Sequence, residues 1–292
     1  MKSAYKSSGA IFEQVSKMHS PGMYEQLKAV KPGEITVVRG TYDHIELLMD
    51  TLKVNYQLIE PEEMGSKDLG RVALVNCRTY GNGKSVDAAR KFVSGGGRLV
   101  TTDWALSLVT HAFPDRLAKT STETSDDVVE VQCASNVGSK LLGLHYSQCH
   151  PKWWLEGSSH IYTIKKDVVS IITSPEMKTK YGQPYVAVGF NEGDGDVYHF
   201  ISHLELQRTH LRTEADKGGL EDFLAKMDAK KTTVMEDCSV AELEAAFSTL
   251  NTLAYLCLPG PLLDKEIKPM LTEGPSKTCH SGKSVLLSKA KK

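Results

Sequence analysis

The apolar residues of this chain come in short blocks that alternate between the pattern of a buried strand and that of a helix. Ile35-Thr36-Val37-Val38-Arg39-Gly40 is a β-branched run bounded by glycine, which predicts a buried parallel strand. Thr41 to His44 form a turn, and Ile45, Leu47, Leu48, Leu52 and Val54 follow at roughly helical spacing. Tyr56-Gln57-Leu58-Ile59, closed by Pro61, and Val72 to Cys77 read as the next two strands. Ser85 is placed as the N-cap of a helix whose Val86, Ala89 and Val93 share one face. Gly95-Gly96-Gly97 ends that helix, because glycine enters a left-handed cap without a Cβ penalty. Leu99-Val100-Thr101 is then a fourth strand, Asp103-Trp104 a sharp turn, and Ala105 to Val109 the start of another helix.

Strand–helix alternation at this spacing predicts an α/β fold: a parallel sheet flanked by helices with right-handed crossovers. Later, Tyr185 to Phe190 and Asp196 to His203 read as an antiparallel hairpin turning at Glu192-Gly193-Asp194-Gly195. Val128 to Cys133 and Val168 to Thr173 read as further strands. Ser239 caps a helix with Val240, Leu243, Phe247, Leu250, Leu253 and Leu256 on its apolar face, stopped by Pro259-Gly260-Pro261. Residues 1–34 are treated as an N-terminal extension with a short helix at Ala10 to Val15, residues 35–263 as the α/β domain, and 264–292 as a basic, disordered tail.

Composition narrows the functional classes. The 292 residues are 40% hydrophobic and carry a net charge of -1, which gives no field for nucleic acid or an anionic membrane. No apolar run reaches the length of a membrane span or a secretory signal. Six scattered cysteines without a Cys-x-x-Cys pair fit free thiols in the cytoplasm. No Gly-x-Gly-x-x-Gly follows the first strand and no phosphate-binding Walker sequence occurs, so no cofactor is expected.

Phe92-Val93-Ser94-Gly95-Gly96-Gly97-Arg98-Leu99-Val100 and Gly193-Asp194-Gly195-Asp196-Val197-Tyr198-His199 carry a resemblance to a known family. Over residues 35–110 and 184–258 the chain resembles the class I glutamine amidotransferase-like fold, closest to its trehalose-utilisation (ThuA-like) branch. The resemblance implies a nucleophile at the turn after the fourth strand and a late His-x-Glu. His203-Leu204-Glu205 fits the latter, but the turn reads Thr101-Thr102-Asp103-Trp104-Ala105. With no cysteine there, no glutamyl thioester can form and glutaminase activity is not expected. ThuA-like proteins generally lack that cysteine too.

Asp103 is the centre of the candidate chemistry. One reading makes it a plain helix N-cap. Another makes it a nucleophile with His203 as base and Glu205 orienting it; Asp-Trp at such a turn is similar to haloalkane dehalogenases, with Trp104 in the halide-binding place. Cys77, Arg78, Tyr42, Trp104 and His199 are candidate binding residues of the same edge. Strand parity puts His199, His203 and Glu205 on one face, with His150 and His160 elsewhere, but no metal set is assigned. Trp153-Trp154 offers a sugar-stacking platform or the packing of a long loop. The leading expectation is a non-catalytic domain that binds a small ligand or protein partner at the carboxyl edge of its sheet. The alternatives are a hydrolase built on Asp103, His203 and Glu205, or a carbohydrate-binding protein. Homo-oligomerisation is left open.

Overall fold

A computed structural model describes residues 1–81, 83–147, 150–205 and 207–263. The expected tail at 264–292, with Cys279, and Cys149 lie outside the described residues. The chain opens with helices α1 (Lys2–His19) and α2 (Pro21–Lys28), then runs β1 (Ile35–Val38), α3 (Ile45–Leu52), β2 (Gln57–Ile59), β3 (Val72–Val75), α4 (Lys84–Ser94), β4 (Arg98–Thr102) and α5 (Leu106–Ala112). A middle section holds β5 (Leu117–Glu123), β6 (Asp127–Glu130), β7 (Gln132–Cys133), α6 (Asn136–Leu142), α7 (Leu144–Ser147), β8 (Lys152–Leu155) and β9 (His160–Ile164). It closes with β10 (Val169–Thr173), α8 (Pro175–Tyr181), β11 (Tyr185–Glu192), β12 (Gly195–Phe200), α9 (Glu214–Lys217), α10 (Leu220–Met227) and α11 (Val240–Leu256).

An eight-stranded sheet in the order β2-β1-β3-β4-β12-β11-β10-β7 organises these elements. From β2 to β12 neighbouring strands run parallel, and β11, β10 and β7 continue the sheet antiparallel. β1, β3 and β4 are buried along their whole length, as the short β-branched and apolar runs within them predict. The expected α/β class with a late hairpin is therefore the observed architecture. From β1 the chain crosses to β2 at one edge, whereas from β3 it crosses to β4 in the opposite direction. Right-handed crossovers then put α3 and α4 on opposite faces and open a crevice at the carboxyl ends of β1 and β3.

The N-terminal stretch is more than a short helix at Ala10 to Val15. α1 buries Ala4, Tyr5, Ser7, Ser8, Ile11, Phe12, Val15 and Ser16, and packs against α11. Ser8 Oγ donates to the Leu243 carbonyl (3.0 Å), which satisfies a polar atom on that face. Because three of these eight buried residues are serine, hydropathy alone conceals the face. The expected cap Ser85 lies inside α4; Gly83 is its N-cap, and Ser85 Oγ donates instead to the Pro61 carbonyl (3.2 Å). The single strand expected over Val128 to Cys133 is two. β6 pairs with β8 in a separate ribbon while β7 joins the main sheet, and the break at Val131 lets its N–H reach the Pro151 carbonyl (3.0 Å).

Two buried ion pairs tie the outer parts to this frame. Arg98 holds Asp196 through two bonds (2.9 and 3.0 Å) across β4 and β12. Lys152 Nζ meets Asp216 Oδ1 (2.7 Å), whose Oδ2 also accepts the N–H groups of Arg212 and Thr213 (2.7 Å each). Burial works against charge on Asp216, but the Lys152 ammonium and these two N–H donors outweigh it and hold its pKa down to about 2. A depressed carboxyl stabilises the fold above its unfolded pKa and loses that contribution as pH falls through its folded one. Stability is therefore expected to drop by about 2 kcal/mol between pH 4 and pH 2 from this group. Urea titrations at several pH values should show that leg in the wild type, and Asp216→Asn should lack it while being less stable at pH 7.

Candidate functional site

Three chain reversals meet at the crevice. The loop after β1 needs Gly40, where a Cβ would fall 2.6 Å from Asn76 Cβ and 2.7 Å from the Cys77 carbonyl. That closeness lets Thr41 N–H donate to the Cys77 carbonyl (2.8 Å) and brings Asp43 in, fully buried. Asp43 Oδ2 accepts from Thr102 Oγ1 (2.7 Å) and Oδ1 from the His44 N–H (2.9 Å). After β3, Asn76 Oδ1 takes the Ile45 N–H at the start of α3 (2.9 Å). Cys77 follows, 1% exposed.

After β4 the chain turns abruptly. Asp103 has φ +47°, a left-handed conformation that costs a residue with a Cβ about 1–3 kcal/mol and clusters at functional turns. It is not a helix cap: Thr102 occupies that position, and Asp103 begins the 3-10 turn Asp103–Ala105 without capping it. Its Oδ2 instead accepts from Cys77 Sγ (3.2 Å) and lies 3.3 Å from His203 Nε2. Its Oδ1 is buried without a hydrogen-bond partner.

β12 ends at Phe200, so His203-Leu204-Glu205 lies in the loop beyond it rather than on a strand face. The parity that would align His199, His203 and Glu205 therefore does not apply. His203 still reaches Asp103, and its Nδ1 meets Glu156 Oε2 at 2.8 Å. The carboxylate that orients His203 is thus Glu156, from the loop between β8 and β9. Glu205 donates its backbone N–H to Asp43 and sets its charge near Tyr5. Gln207, fully buried, braces the loop by donating to the His203 carbonyl (2.6 Å) and accepting the Trp154 N–H (2.7 Å). Neither Glu156 nor Gln207 is marked by any motif.

The electrostatics follow from this packing. Burial opposes charge on His203, but the Asp103 carboxylate, then Cys77 and Glu156, outweigh it and hold the imidazole protonated well above its ordinary range. Burial pushes the Cys77 thiol up to about 11, although His203 opposes the shift. Burial also raises the Asp43 carboxyl against the pull of His203 and the Thr102 hydroxyl. His199 is driven down to about 3 by burial, and its Nδ1 pairs with Thr101 Oγ1 (2.9 Å). An imidazolium cannot accept a proton, and a neutral thiol is a weak nucleophile.

Aromatic groups cover the cluster. Trp104 stacks on His160 (6.3 Å between centroids, 13° between planes) and meets Tyr42 edge-on (5.8 Å). Trp104 Nε1 is committed to the Ser158 carbonyl (2.9 Å), so it is not held ready for a halide. Tyr42 is 53% exposed. Of the other candidates, Arg78 and His150 fall away from the cluster, whereas His160 and Trp154 border it. Arg78 pairs with Glu62 on the surface (3.0 Å). His150 is exposed, and His160 pairs with Glu123 (3.1 Å). Trp153 and Trp154 are buried, with Trp153 Nε1 on Ser248 Oγ (2.8 Å) and Trp154 Nε1 on Asp126. Two buried indoles offer no sugar platform, and Trp154 serves as a wall edge-on to the His203 ring (6.3 Å).

No protein-family model matches the sequence, and no curated protein does. Among solved structures, the chain is similar to a glutamine amido transferase from Methylobacillus Flagellatus, at 11% identity and TM-score 0.46 over 78% of this chain and 93% of that one. It is similar to a putative ThuA-like protein from Bacteroides uniformis at 10% identity and TM-score 0.43, over 60% of this chain and 83% of that one. It also overlays part of a beta-galactosidase from Bacillus circulans sp. alkalophilus at 10% identity and TM-score 0.41, over 62% of this chain and 31% of that one. The chain spans only 27–32% of the length of such beta-galactosidases.

Proposed function

We propose that this chain is a non-catalytic domain of amidotransferase-like architecture that binds a small ligand or a protein partner at the carboxyl edge of its sheet. One observation carries the reading. The residue at the turn where a nucleophile would stand, Asp103, is 3% exposed and ion-paired to His203 beneath the Trp104–His160 stack. A group so placed neither meets a substrate nor leaves its partner free to move a proton. What does face solvent at this edge is the Tyr42–Trp104–His160 aromatic surface, which suits a ligand with a flat apolar face. The free thiols of Cys77, Cys238 and Cys257 agree with a reducing, cytoplasmic setting.

Ammonia release from L-glutamine and hydrolysis of p-nitrophenyl acetate are expected to stay at the buffer blank. Turnover that disappears in a folded Asp103→Asn variant would overturn the reading in favour of a hydrolase. Amide-shift mapping with aromatic and saccharide fragments should confine its responses to Tyr42, Trp104, Ser158 and His160; fragments that bind only elsewhere would displace the site.

A further inference from the structure

The buried cluster beneath that aromatic surface has the donor set of a metal centre. Cys77 Sγ, an Asp103 carboxylate oxygen and His203 Nε2 all lie within 4.8 Å of one another. The Sγ–Oδ2 separation is 3.2 Å and the Nε2–Oδ2 separation 3.3 Å. Ligands of a tetrahedral zinc ion, bound at about 2.0–2.3 Å, stand about 3.4–3.6 Å apart. Both separations from the Asp103 oxygen are thus within a few tenths of an ångström of what one shared ion requires, and the third lies within 4.8 Å.

Two further observations point to a missing partner. Asp103 Oδ1 and His203 Nε2 are both buried without a hydrogen bond, in residues 3% exposed. The 3.3 Å contact of Nε2 with Oδ2 is an ion-pair distance whose direction falls short of a hydrogen bond. Native proteins seldom leave two such atoms unsatisfied at one point unless a water or ion belongs there. In addition, His203 Nδ1 stands at an ion-pair distance of 2.8 Å from Glu156 Oε2. A carboxylate on the far nitrogen is the arrangement that fixes the tautomer and orientation of a metal-binding histidine.

We propose that Cys77, Asp103 and His203 bind one divalent cation of the zinc class, pinning the ends of β3 and β4 to the loop that follows β12. The thiolate and imidazole select zinc over magnesium or calcium, which prefer oxygen donors alone. Binding exchanges the thiol and imidazolium protons for one dication, so the buried cluster keeps the same net charge. Glu156, whose side chain is 30% exposed, marks the route from solvent. The inference rests on, and deepens, the reading of this edge as a binding site; three protein donors leave the ion's fourth position open to water or a ligand.

The test uses the untagged full chain, stripped with a chelator and dialysed against Zn²⁺ or Co²⁺ alone. One equivalent is expected to be retained. The Co²⁺ form should show thiolate-to-cobalt charge-transfer absorption in the near ultraviolet. Cys77→Ala should lose that band, and its Zn²⁺ affinity should fall by roughly 100-fold or more, at least what loss of an outer partner costs. Cys77→Ala keeps the Asp103–His203 pair and is expected to fold. A Zn²⁺-dependent rise in the wild-type Tm reads the same binding without any variant. Substoichiometric metal without a Tm shift, or one equivalent whose spectrum and affinity survive in Cys77→Ala, would overturn the inference. Turnover that requires the bound metal would overturn the non-catalytic reading and leave the metal site standing. Absence of both metal and turnover would do the reverse.

Discussion

His203→Ala is expected to lower the free energy of unfolding by about 3–5 kcal/mol, the cost of breaking a buried ion pair by removing one partner. The reason lies in what stays behind. Asp103 is 3% exposed and would keep only the Cys77 thiol as a partner. Asp43, fully buried, would lose the nearest positive charge that opposes its desolvation. Two buried carboxyls would then lack the cation that serves both. Removing Asp103 at the same time takes away the uncompensated charge, while alanine keeps the Cβ that this left-handed backbone penalises. The double variant Asp103→Ala/His203→Ala should therefore be no less stable than His203→Ala alone. Chemical denaturation of the wild type, both single variants and the double variant gives the coupling directly. Independent, additive losses would mean that the pair does not hold the turn together.

Arg98→Met is the second large effect, again about 3–5 kcal/mol, by the same mechanism at the opposite end of the sheet. Arg98 opens β4, 5% exposed, with all its donors engaged. Two bonds go to Asp196 (2.9 and 3.0 Å) and three to the carbonyls of Leu256, Leu258 and Gly260 (3.0, 2.8 and 2.5 Å). The planar fork thus closes β12 and the end of α11 onto β4, and its plane lies over the Tyr198 ring at 5.7 Å. Methionine fills the volume but strands Asp196 and leaves three carbonyls without their donor. Arg98→Lys, which keeps the charge without the fork, should recover only part of the loss. Loss of the same size in Arg98→Met/Asp196→Leu would show that the carbonyls, rather than the stranded carboxylate, carry the cost. Thermal and urea unfolding distinguish these cases.

Much of the frame was legible from local rules. β1, β3 and β4 are short β-branched runs, and only a strand buried on both faces tolerates such runs. Gly96 (φ +100°) closed α4 and Gly193 (φ +59°) turned β11 into β12, because few residues other than glycine accept a positive φ. The capping box of Ser239 with Glu242 placed the start of α11. α1 escaped this reading because its buried face carries Ser7, Ser8 and Ser16, and the partners of Ser7 and Ser8 lie more than 200 residues away in the chain.

The site was legible in part, for a physical reason. Asp103, Cys77 and Trp104 stand at the carboxyl ends of strands, where an α/β sheet gathers its functional side chains, so position along the chain singled them out. His203 was found through a motif, yet its partner was assigned to the neighbouring Glu205 on strand parity, and the strand ends three residues too early for parity to apply. Glu156 and Gln207 gave no signal, because each acts through a contact spanning tens of residues: Glu156 on His203, and Gln207 on Trp154. Local chain chemistry carried the alternation of strands and helices, the glycine turns, and the missing cysteine at the turn after β4. It took the folded molecule to show that Asp103 is buried against Cys77 and His203 rather than capping a helix, that the paired indoles are walls rather than a platform, and that an acid from a distant loop pairs with the histidine. Backbone conformation answers to neighbours along the chain, whereas burial and charge pairing answer to whatever the fold brings alongside.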